Sequence, residues 1–332
     1  MGNGDGRKRV LSGIQPTGNS HIGNYLGAIR HWVASQGESE TLFPIVDLHA
    51  ITVPHDPTKL KTHIQEVAGI LFAAGIDPEQ STVFVQSHVS AHAELAWILN
   101  CLIPMGWMER MTQFKEKAES LKERVSVGLF DYPALMAADI LLYEVDLVPV
   151  GDDQRQHLEL TRDVAQRFNS MFGETLKVPE ASIPPVGARI MGLDDPTSKM
   201  SKSVTTPGHA IGLLDSPDDV RAKFKRAATD SKREIVFDEN RPGVNNLLVI
   251  YEAFTGEKRH EIESHFEGKG YADLKNELSD AVIEGLRPLQ ERYRRIEKEP
   301  GHLSSMLKEG ADKVRPMADR TLRLVMEKVG LG

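Results

Sequence analysis

Strand-like and helix-like segments alternate up to about residue 191, and this alternation limits the possible folds more than any other feature of the chain. Four short apolar runs have strand character: residues 8–14, 41–47, 81–86 and 145–150. Between them, a helical stretch begins at Asp56 and Pro57, an N-cap followed by proline, and ends near Gly75. Another helical stretch covers about 91–103. The pattern predicts a doubly wound parallel sheet, Rossmann-like, whose ligands gather beyond the carboxyl ends of the strands.

The strand pattern nearly disappears in the second half of the chain. Ser216 and Pro217 open a helix with a cap and a proline at its first position, and acidic residues follow in its first turn. Helical periodicity then continues to the C-terminus. A length of 332 residues is enough for about two domains. We therefore expect a nucleotide-binding domain over residues 1–205 and a second, all-helical domain over 206–299.

Charge and cysteine content restrict the class of protein. The net charge is −8, from 40 Lys and Arg against 48 Asp and Glu, which argues against a protein that coats nucleic acid with its whole surface. Local basic patches at 221–233 and 287–298 are alternatives, either as nucleic-acid contacts or as ordinary solvated helix faces. A single cysteine, Cys101, excludes internal disulfides and favours the reducing cytoplasm. Apolar stretches are interrupted before membrane-spanning length, so no membrane partner is expected.

A turn with polar residues follows the first predicted strand. Breaker-rich residues 15–19 separate that strand from an apolar period that begins at Ile22. Ser20 is the expected N-cap of this helix, and His21 and Asn24 fall in its first turn. A strand, a turn and a helix N-terminus place free backbone N–H groups and the positive end of the helix dipole at one point. The sequence therefore predicts an anion site here.

A second candidate site is the segment 194–208, which is rich in loop formers and has no apolar period. It carries two lysines three residues apart, Lys199 and Lys202. Lysine is a flexible point charge with three donors, so two of them on a loop suit phosphate oxygens that move during a reaction. Gly268 and Lys269 lack the upstream glycine of a P-loop. A nucleotide would then be held by the two separate segments.

Residues 132–143 predict a helix that carries an acid on an apolar stripe. Helical spacing places Met136, Asp139, Ile140 and Tyr143 on one face. A carboxylate among apolar side chains is costly unless a donor satisfies it. An indole N–H donates one hydrogen bond and accepts none, and a methionine sulfur packs well on an aromatic ring. The stripe therefore favours an indole pocket, and the alternative for an isolated acid is a surface ion pair.

Together these segments resemble the paired signatures of the class I aminoacyl-tRNA synthetases. The first is a His-Ile-Gly-His-type motif, present here as residues 21–24, and the second is a Lys-Met-Ser-Lys-Ser loop that residues 199–203 match letter for letter. Asn24 replaces the second histidine and is similar to the variant of the tryptophanyl and tyrosyl subgroup. Other stretches resemble the bacterial tryptophanyl-tRNA synthetase family, so the resemblance covers nearly the whole chain: residues 12–18, 47–52, 109–117, 132–143 and 151–154.

The resemblance implies a role for each matching residue. The implied catalytic group, which stabilises charge on the phosphates, is His21, Lys117, Lys199 and Lys202. The implied ATP-binding residues are Gln15, Pro16, Thr17, Gly23, Asn24, Gly151, Asp152, Asp153, Ile190, Lys199, Met200, Ser201, Lys202 and Ser203. The implied amino-acid-binding residues are Asp139, Met136, Tyr132, Gln154 and His49. Gln154 is implied for either the ribose or the ammonium group, and no residue is expected to bind a metal directly.

The resemblance also implies a reaction. Tryptophan and ATP, with Mg²⁺ on the triphosphate, would give tryptophanyl-adenylate and pyrophosphate, and tryptophan would then pass to the 3′ end of tRNA-Trp. Residues 206–299 would contact the anticodon, and the C-terminal helix, residues 300–332, would pack back on the first domain. The family implies a homodimer, for which the apolar helix 93–103 with Trp97 and nearby Trp107 is the candidate surface.

Three other functions fit parts of the pattern. A tyrosyl-tRNA synthetase shares both signatures, but a phenol would require a hydroxyl partner where this chain has the stripe around Met136. A small nucleotidyltransferase uses a similar histidine–glycine turn but leaves the helical half unexplained. A catalytically silent paralogue that binds RNA or tryptophan is the non-enzyme alternative, and the intact Lys199 and Lys202 argue against it.

Overall fold

The computed structural model describes residues 6–18, 20–121, 125–182, 189–201 and 206–331, with backbone alone described at 116–118, 120–121 and 152–153. Lys202 and Ser203, two of the expected site residues, lie outside the described residues. The side chains of Lys117, Asp152 and Asp153 do so as well. Within the described ranges, every helix is too short or too polar to cross a lipid bilayer.

A five-stranded parallel sheet forms the centre of the first half of the chain. The strands are β1 (Arg9–Leu11), β2 (Glu40–Ile45), β3 (Ser81–Val85), β4 (Leu147–Pro149) and β5 (Glu180–Ser182). Their order is β3-β2-β1-β4-β5, and every pair is parallel. The chain thus winds outward from β1 to β3 and then returns to the other side at β4. This is the doubly wound arrangement expected from the sequence, and its switch point lies between β1 and β4.

The helices cover both faces of the sheet and make up most of the second half. In the first half they are α1 (Ile22–Asn24), which continues through a π-helical turn (Tyr25–Ile29) into α2 (Arg30–Ala34), then α3 (Asp47–Ala50), α4 (Pro57–Ala74), α5 (Ala91–Asn100), α6 (Met105–Met108), α7 (Thr112–Leu121), α8 (Val127–Leu141) and α9 (Asp152–Phe172). In the second half they are α10 (Pro217–Arg226), α11 (Pro242–Thr255), α12 (Arg259–Phe266), α13 (Tyr271–Glu297) and α14 (Pro300–Val329).

Local signals in the sequence determine several helix ends as expected. The Asp56 carboxylate accepts from the Thr58 N–H at the start of α4, and Gly75 ends that helix with a φ of 116°. Ser216 caps α10 through the Asp219 N–H, with Pro217 at the first helical position. These three predictions are confirmed.

Two local predictions are wrong. Ser20 is not the N-cap of α1: His21 takes that position in extended conformation, and no described residue bonds the buried Ser20 hydroxyl. The helix starts one residue late because the Ser20 carbonyl is bonded to the Leu213 N–H, a contact distant in sequence. The second error is β5, which was not expected, since Glu180–Ser182 is short, exposed and without an apolar pattern.

The second half of the chain packs directly on the first. One buried cluster includes Ile22 and Phe43 from the sheet half and continues through Val220 and Leu247 to Leu286 on α13. The helix α14 runs back over the edge strand β3 and over α5, where Ala311 and Val314 are buried. Every strand among the described residues precedes residue 183, so the described part of 206–331 contributes only helices and loops.

Candidate active site

A cavity of about 410 Å³ opens at the switch point of the sheet. Its walls come from the chain just after β1, from the ends of β2 and β4, and from α8. Residues of all four elements contribute: Ser12, Gly13, Pro44, Val46, Met136, Asp139, Ile140, Pro149 and Val150. Carboxyl ends of neighbouring parallel strands diverge at this point, which leaves room for a ligand. We refer to this space as the switch-point cavity.

All five residues expected to bind an amino acid line the switch-point cavity. They are His49, Tyr132, Met136, Asp139 and Gln154. The Tyr132 hydroxyl lies 2.6 Å from His157 Nε2, which fixes the ring against α9. Tyr143, the fourth member of the predicted stripe, does not line the cavity. It is fully buried behind Asp139, because the helix turns it toward α5.

Asp139 is 3% exposed and receives three hydrogen bonds. The Gln86 amide donates to Oδ1 at 2.6 Å, and His92 Nδ1 lies 2.6 Å from the same oxygen. His49 Nε2 lies 2.7 Å from Oδ2. An ionised carboxylate only accepts, so both ring nitrogens that face it carry hydrogens. With a hydrogen on Nδ1, the His92 ring presents Nε2 to the Tyr143 hydroxyl, 2.7 Å away.

The network keeps this buried acid ionised. Burial by itself would raise the pKa of Asp139, but the charge and hydrogen bonds of His49 and His92 outweigh burial and lower that pKa to about 2. Burial, together with the nearby Asp139 charge, raises the pKa of Tyr143, so its hydroxyl stays protonated and can donate. The floor of the cavity therefore carries one negative charge on an oriented carboxylate.

One acceptor position of Asp139 remains for a ligand. Each carboxylate oxygen accepts about two hydrogen bonds, and Oδ1 has two donors, Gln86 and His92. Oδ2 has one, His49. Since Asp139 lines the switch-point cavity, the second lone pair of Oδ2 can accept from a donor placed there. Oδ2 is therefore the Asp139 oxygen with room for a further hydrogen-bond donor.

In the first signature turn, residues 21–24, backbone N–H groups donate to acceptors within the chain. The His21 N–H donates to Asn24 Oδ1, the Ile22 N–H to the Ile211 carbonyl, and the Asn24 N–H to the His21 carbonyl. The expectation of free backbone N–H groups is wrong for these three residues, because residues 211–213 pair with the turn as a strand would. A phosphate beside this turn would depend mainly on side chains.

The lysine segment begins as a short hairpin, residues 190–200, which we call the lysine hairpin. Met191 and Lys199 form an antiparallel bridge, and the Met200 N–H donates to the Ile190 carbonyl at 3.0 Å. Asn246 on α11 bonds both the N–H and the carbonyl of Met191, at 2.9 and 3.0 Å. Lys199 itself is exposed at the end of this frame. The hairpin is therefore anchored at its base while its ammonium group faces solvent.

The two signatures touch each other. A Cβ built on Gly23 would lie 3.6 Å from Met200 Cβ, and Met200 is 2% exposed. His21 forms an antiparallel bridge with Gly212, shortly after the lysine segment. Residue 23 of the first signature therefore lies in van der Waals range of Met200 in the second, and Asn24 and Ser201 beside them are both half-buried. The structure brings together two motifs that are far apart in sequence.

The remaining expected site residues fall at the same edge of the sheet. Gln15 lines the switch-point cavity, and Thr17 is exposed beyond the buried Pro16. Gly151 precedes the first residue of α9, so the amino end of that helix points toward the cavity wall formed by Val150 and Gln154. Ile190 is buried at the start of the lysine hairpin. The backbone of Lys117 lies in α7.

Sequence reasoning missed three residues of the site. Gln86 and His92 hold Asp139, and Gln113 lines the cavity. Gln86 follows directly after β3, at the edge where ligands gather, and that position was a usable signal. His92 lies on α5, and its contact with Asp139 on α8 could not be inferred from spacing alone.

The basic patches are partly neutralised. In the 221–233 patch, Arg221 pairs with Asp280 and Lys223 with Asp215. Lys225 and Arg226 are exposed. In the 287–298 patch, side-chain contacts are local or structural: Arg287 bonds Glu284, and Arg292 bonds the Ala73 carbonyl of α4. Exposed basic side chains therefore remain in both patches: Lys225 and Arg226 on α10, and Arg294 and Arg295 on α13.

The chain matches a known family over most of its length. Residues 3–287 match the model described as tRNA synthetases class I (W and Y). The chain belongs to the class I tRNA synthetases for tryptophan and tyrosine.

Similar proteins show whether the chain belongs to the tryptophan or the tyrosine branch of this class. The Wolinella succinogenes tryptophan–tRNA ligase is 57% identical over 98% of this chain and 99% of its own length. Among solved structures, the tryptophanyl-tRNA synthetase of Mycoplasma pneumoniae has a TM-score of 0.88 and 37% identity, covering 98% of each chain. That of Campylobacter jejuni, complexed with ADP and tryptophan, has a TM-score of 0.87 and 38% identity, covering 97% of this chain and 100% of its own. Within the class, this chain is an aminoacyl-tRNA ligase of the tryptophan branch.

Proposed function

We propose that the chain activates L-tryptophan with ATP and transfers it from the adenylate to the 3′ end of tRNA-Trp in the cytoplasm. The observation that carries this proposal is the buried Asp139, held as a carboxylate by His49, His92 and Gln86, on the wall of the switch-point cavity. The Campylobacter jejuni tryptophanyl-tRNA synthetase, whose structure has a TM-score of 0.87 to this chain, is described as complexed with ADP and tryptophan. The ligands of that enzyme support a nucleotide and an amino acid as substrates. The hydrogen bonds around Asp139 support the side chain of tryptophan as the one that this chain recognises.

Recognition of the ring would use the free acceptor position of Asp139. An indole N–H that approaches Oδ2 would complete the set of donors around the carboxylate, and no group of the ring would be left without a partner. Met136 and Ile140 flank Asp139 on the cavity wall and would pack on the ring faces. The phenol of tyrosine, whose oxygen also accepts, would place its lone pairs near a full negative charge.

Activation would depend on positioning and charge. The carboxylate of tryptophan is already ionised at neutral pH, so attack on the α-phosphate needs no general base. The developing charge on pyrophosphate needs cations: Lys199 at the end of the lysine hairpin, with Lys202, Lys117 and His21 as the other proposed members of the group. Mg²⁺ would be carried by the triphosphate oxygens and by water, as this ion prefers.

Amino-acid-dependent exchange of pyrophosphate into ATP tests the activation step. The proposal expects exchange with tryptophan and a rate lower by several powers of ten with tyrosine, because the two rings differ at a buried polar contact. Charging of tRNA-Trp with labelled tryptophan then tests the transfer. Equal exchange with both amino acids would contradict the assignment, and exchange with neither would indicate a silent paralogue.

The helical region 206–299 is proposed to contact the anticodon arm of tRNA. Support comes from Lys225 and Arg226, which are exposed on α10 while their neighbours are paired with acids. Charge reversal at both positions should weaken charging of tRNA about ten-fold or more and leave pyrophosphate exchange unchanged, because phosphate contacts contribute to binding and its salt dependence. The matched control is reversal at Arg221, which already pairs with Asp280. Equal loss of both activities would contradict this role.

A homodimer is proposed through the surface around α5. Trp97 is 70% exposed, Met105 64% and Val127 81%, an unusual group of large apolar side chains for one side of a soluble chain. Sedimentation at micromolar concentration should give a dimer, and Trp97→Glu should shift it to the monomer. A wild-type chain that sediments as a monomer would contradict the proposal.

A further inference from the structure

An imidazole–carboxylate pair closes the base of the loop that carries the signature lysines. His209 Nδ1 lies 2.6 Å from Asp194 Oδ1, and the Leu193 N–H donates to the His209 carbonyl at 3.0 Å. The His209 ring is 2% exposed. The chain therefore leaves at 193–194 and returns at 209 through one point, with Lys199 in the segment between. We call the contact of His209 with Asp194 the neck.

The His209 ring packs directly on the lysine hairpin. A Cβ built on Gly192 would lie 2.3 Å from the ring atom Cε1 and 2.9 Å from the Asp195 carbonyl oxygen, so only glycine leaves room here. The Gly192 N–H in turn donates to the Ser198 carbonyl at 2.8 Å, next to Lys199. A shift of the ring would therefore displace the strand pair that presents the lysine.

The neck also joins the two signatures. Two residues after His209, the Ile211 carbonyl accepts from the Ile22 N–H, and the Leu213 N–H donates to the Ser20 carbonyl at 2.8 Å. His209 thus lies between the segment bonded to the first signature turn and the hairpin that carries Lys199. A contact at this point fixes the lysine relative to the turn that precedes α1.

The second ring nitrogen of His209 is not satisfied. Nε2 is buried, and none of the described residues bonds it. A buried donor or acceptor without a partner costs free energy, commonly on the order of 1–3 kcal/mol. Such a group is relieved when the loop moves and supplies a partner or admits water. His209 therefore has a short hydrogen-bonded contact at Nδ1 and an unsatisfied nitrogen at Nε2. This combination suits a contact that changes during turnover.

We propose that His209 is a positioning residue: through Asp194 it latches the lysine hairpin and sets where the Lys199 ammonium lies when the adenylate forms. The inference rests on the proposed activation of tryptophan by ATP. It concerns only the geometry of the loop, since neither His209 nor Asp194 is expected to touch the substrates.

The test compares two substitutions of one residue. His209→Ala removes the neck and should lower the rate of pyrophosphate exchange about ten- to one-hundred-fold, with the dissociation constant of tryptophan within about three-fold. His209→Asn should recover most of the rate, because an asparagine amide carries its donor at the position that Nδ1 occupies. The control His265→Ala removes an exposed histidine–carboxylate pair of the helical region, with Glu277, and should leave exchange unchanged.

Hydrogen exchange of the backbone gives a readout that does not depend on activity. In His209→Ala, the amides of Gly192 and Leu193 should exchange at least about ten-fold faster, and those of β2 should not change. Unchanged protection and rate in this variant would overturn the proposal, and so would an equal loss in His209→Ala and His209→Asn. If the wild type lacked tryptophan-dependent exchange while the protection pattern behaved as expected, the proposed function would fail and the latch would stand.

Discussion

Asp139 at the floor of the switch-point cavity and Lys199 on the lysine hairpin are held in opposite ways. Asp139 is 3% exposed, and donors from three separate elements fix both of its oxygens. Lys199 is exposed on a loop whose described anchors are backbone bonds, Asn246 and the His209 neck. The difference fits the proposed function: a cavity whose polar groups are oriented in advance for the ligand, and a hairpin whose exposed ammonium group would act on charge that develops during the reaction.

The comparison predicts that damage to one region changes the affinity for tryptophan and damage to the other changes the rate of adenylate formation. A preformed site gives most of its interaction energy in the ground state, so damage there should appear in the affinity for tryptophan. A mobile ammonium group interacts mainly with charge that develops on the leaving pyrophosphate, so damage there should appear in the rate.

The largest effect is expected at the lysines. Lys202→Ala should lower the rate of adenylate formation by about three powers of ten, and Lys199→Ala by a similar factor, with tryptophan affinity within several-fold of the wild type. Single-turnover formation of adenylate measures this directly, and Lys223→Ala, which removes a lysine already paired with Asp215, serves as the control. A rate near that of the wild type would contradict the proposal that the cavity determines affinity and the lysine hairpin determines rate.

Substitution of Asp139 should affect both stability and binding. Asp139→Ala leaves three buried donors without an acceptor and should reduce the free energy of unfolding by about 3 kcal/mol or more. Asp139→Asn keeps the shape, but its one oxygen is taken by Gln86 and His92, and its amide group faces the cavity. Tryptophan affinity should then fall about ten- to two-hundred-fold.

The control for these variants is Asp131→Asn, because Asp131 lies on the same helix and accepts from Asn100 away from the cavity. Denaturant unfolding and tryptophan titration measure the two effects separately. Asp139 variants that unfold and bind like the control would show that the network is not a determinant of the site.

A smaller effect is expected in the pH dependence of stability. The pKa of Asp139 is lowered from 3.8 to about 2, with burial opposed and outweighed by His49 and His92. A lowered pKa contributes stability above the ordinary pKa, about 2 kcal/mol here, and that contribution is lost as the pH falls from about 4 toward 2.

The pH prediction needs a difference measurement, since other carboxyl groups, such as Asp146 and Asp230, also have a lowered pKa and also lose their contribution to stability as the pH falls. The advantage of the wild type over Asp139→Asn in unfolding free energy should shrink as the pH falls below about 4. A constant difference down to about pH 2 would contradict the ionised state assigned to Asp139.

Short-range patterns in the sequence were sufficient for most of the fold. Alternation of strands and helices predicted four of the five strands and the parallel order, and Asp56 and Ser216 marked their helix starts correctly. β5 was not predicted because an exposed strand of three residues has no apolar period. Ser20 was misassigned because its carbonyl bonds Leu213, a partner that no local pattern reveals.

The site was predictable only in part, because local spacing shows which residues share a helix face but not which distant residues contact them. Helical spacing brought Met136 and Asp139 onto one face, and the structure places both on the cavity wall. Spacing could not show that Gln86 and His92, on other elements, satisfy the Asp139 carboxylate. The neck between His209 and Asp194 is likewise a contact across a loop, and tertiary pairing alone creates it.

The most direct test of a preformed, indole-selective acid uses a tryptophan analogue whose ring N–H is replaced by sulfur. This ring fills the same volume and cannot donate to Asp139 Oδ2. In pyrophosphate exchange, the wild type should use tryptophan about ten- to two-hundred-fold better than the analogue in kcat/KM, and Asp139→Asn should discriminate by less than about three-fold. Equal discrimination by the wild type and Asp139→Asn would show that Asp139 does not bind the indole and would contradict the account of the cavity.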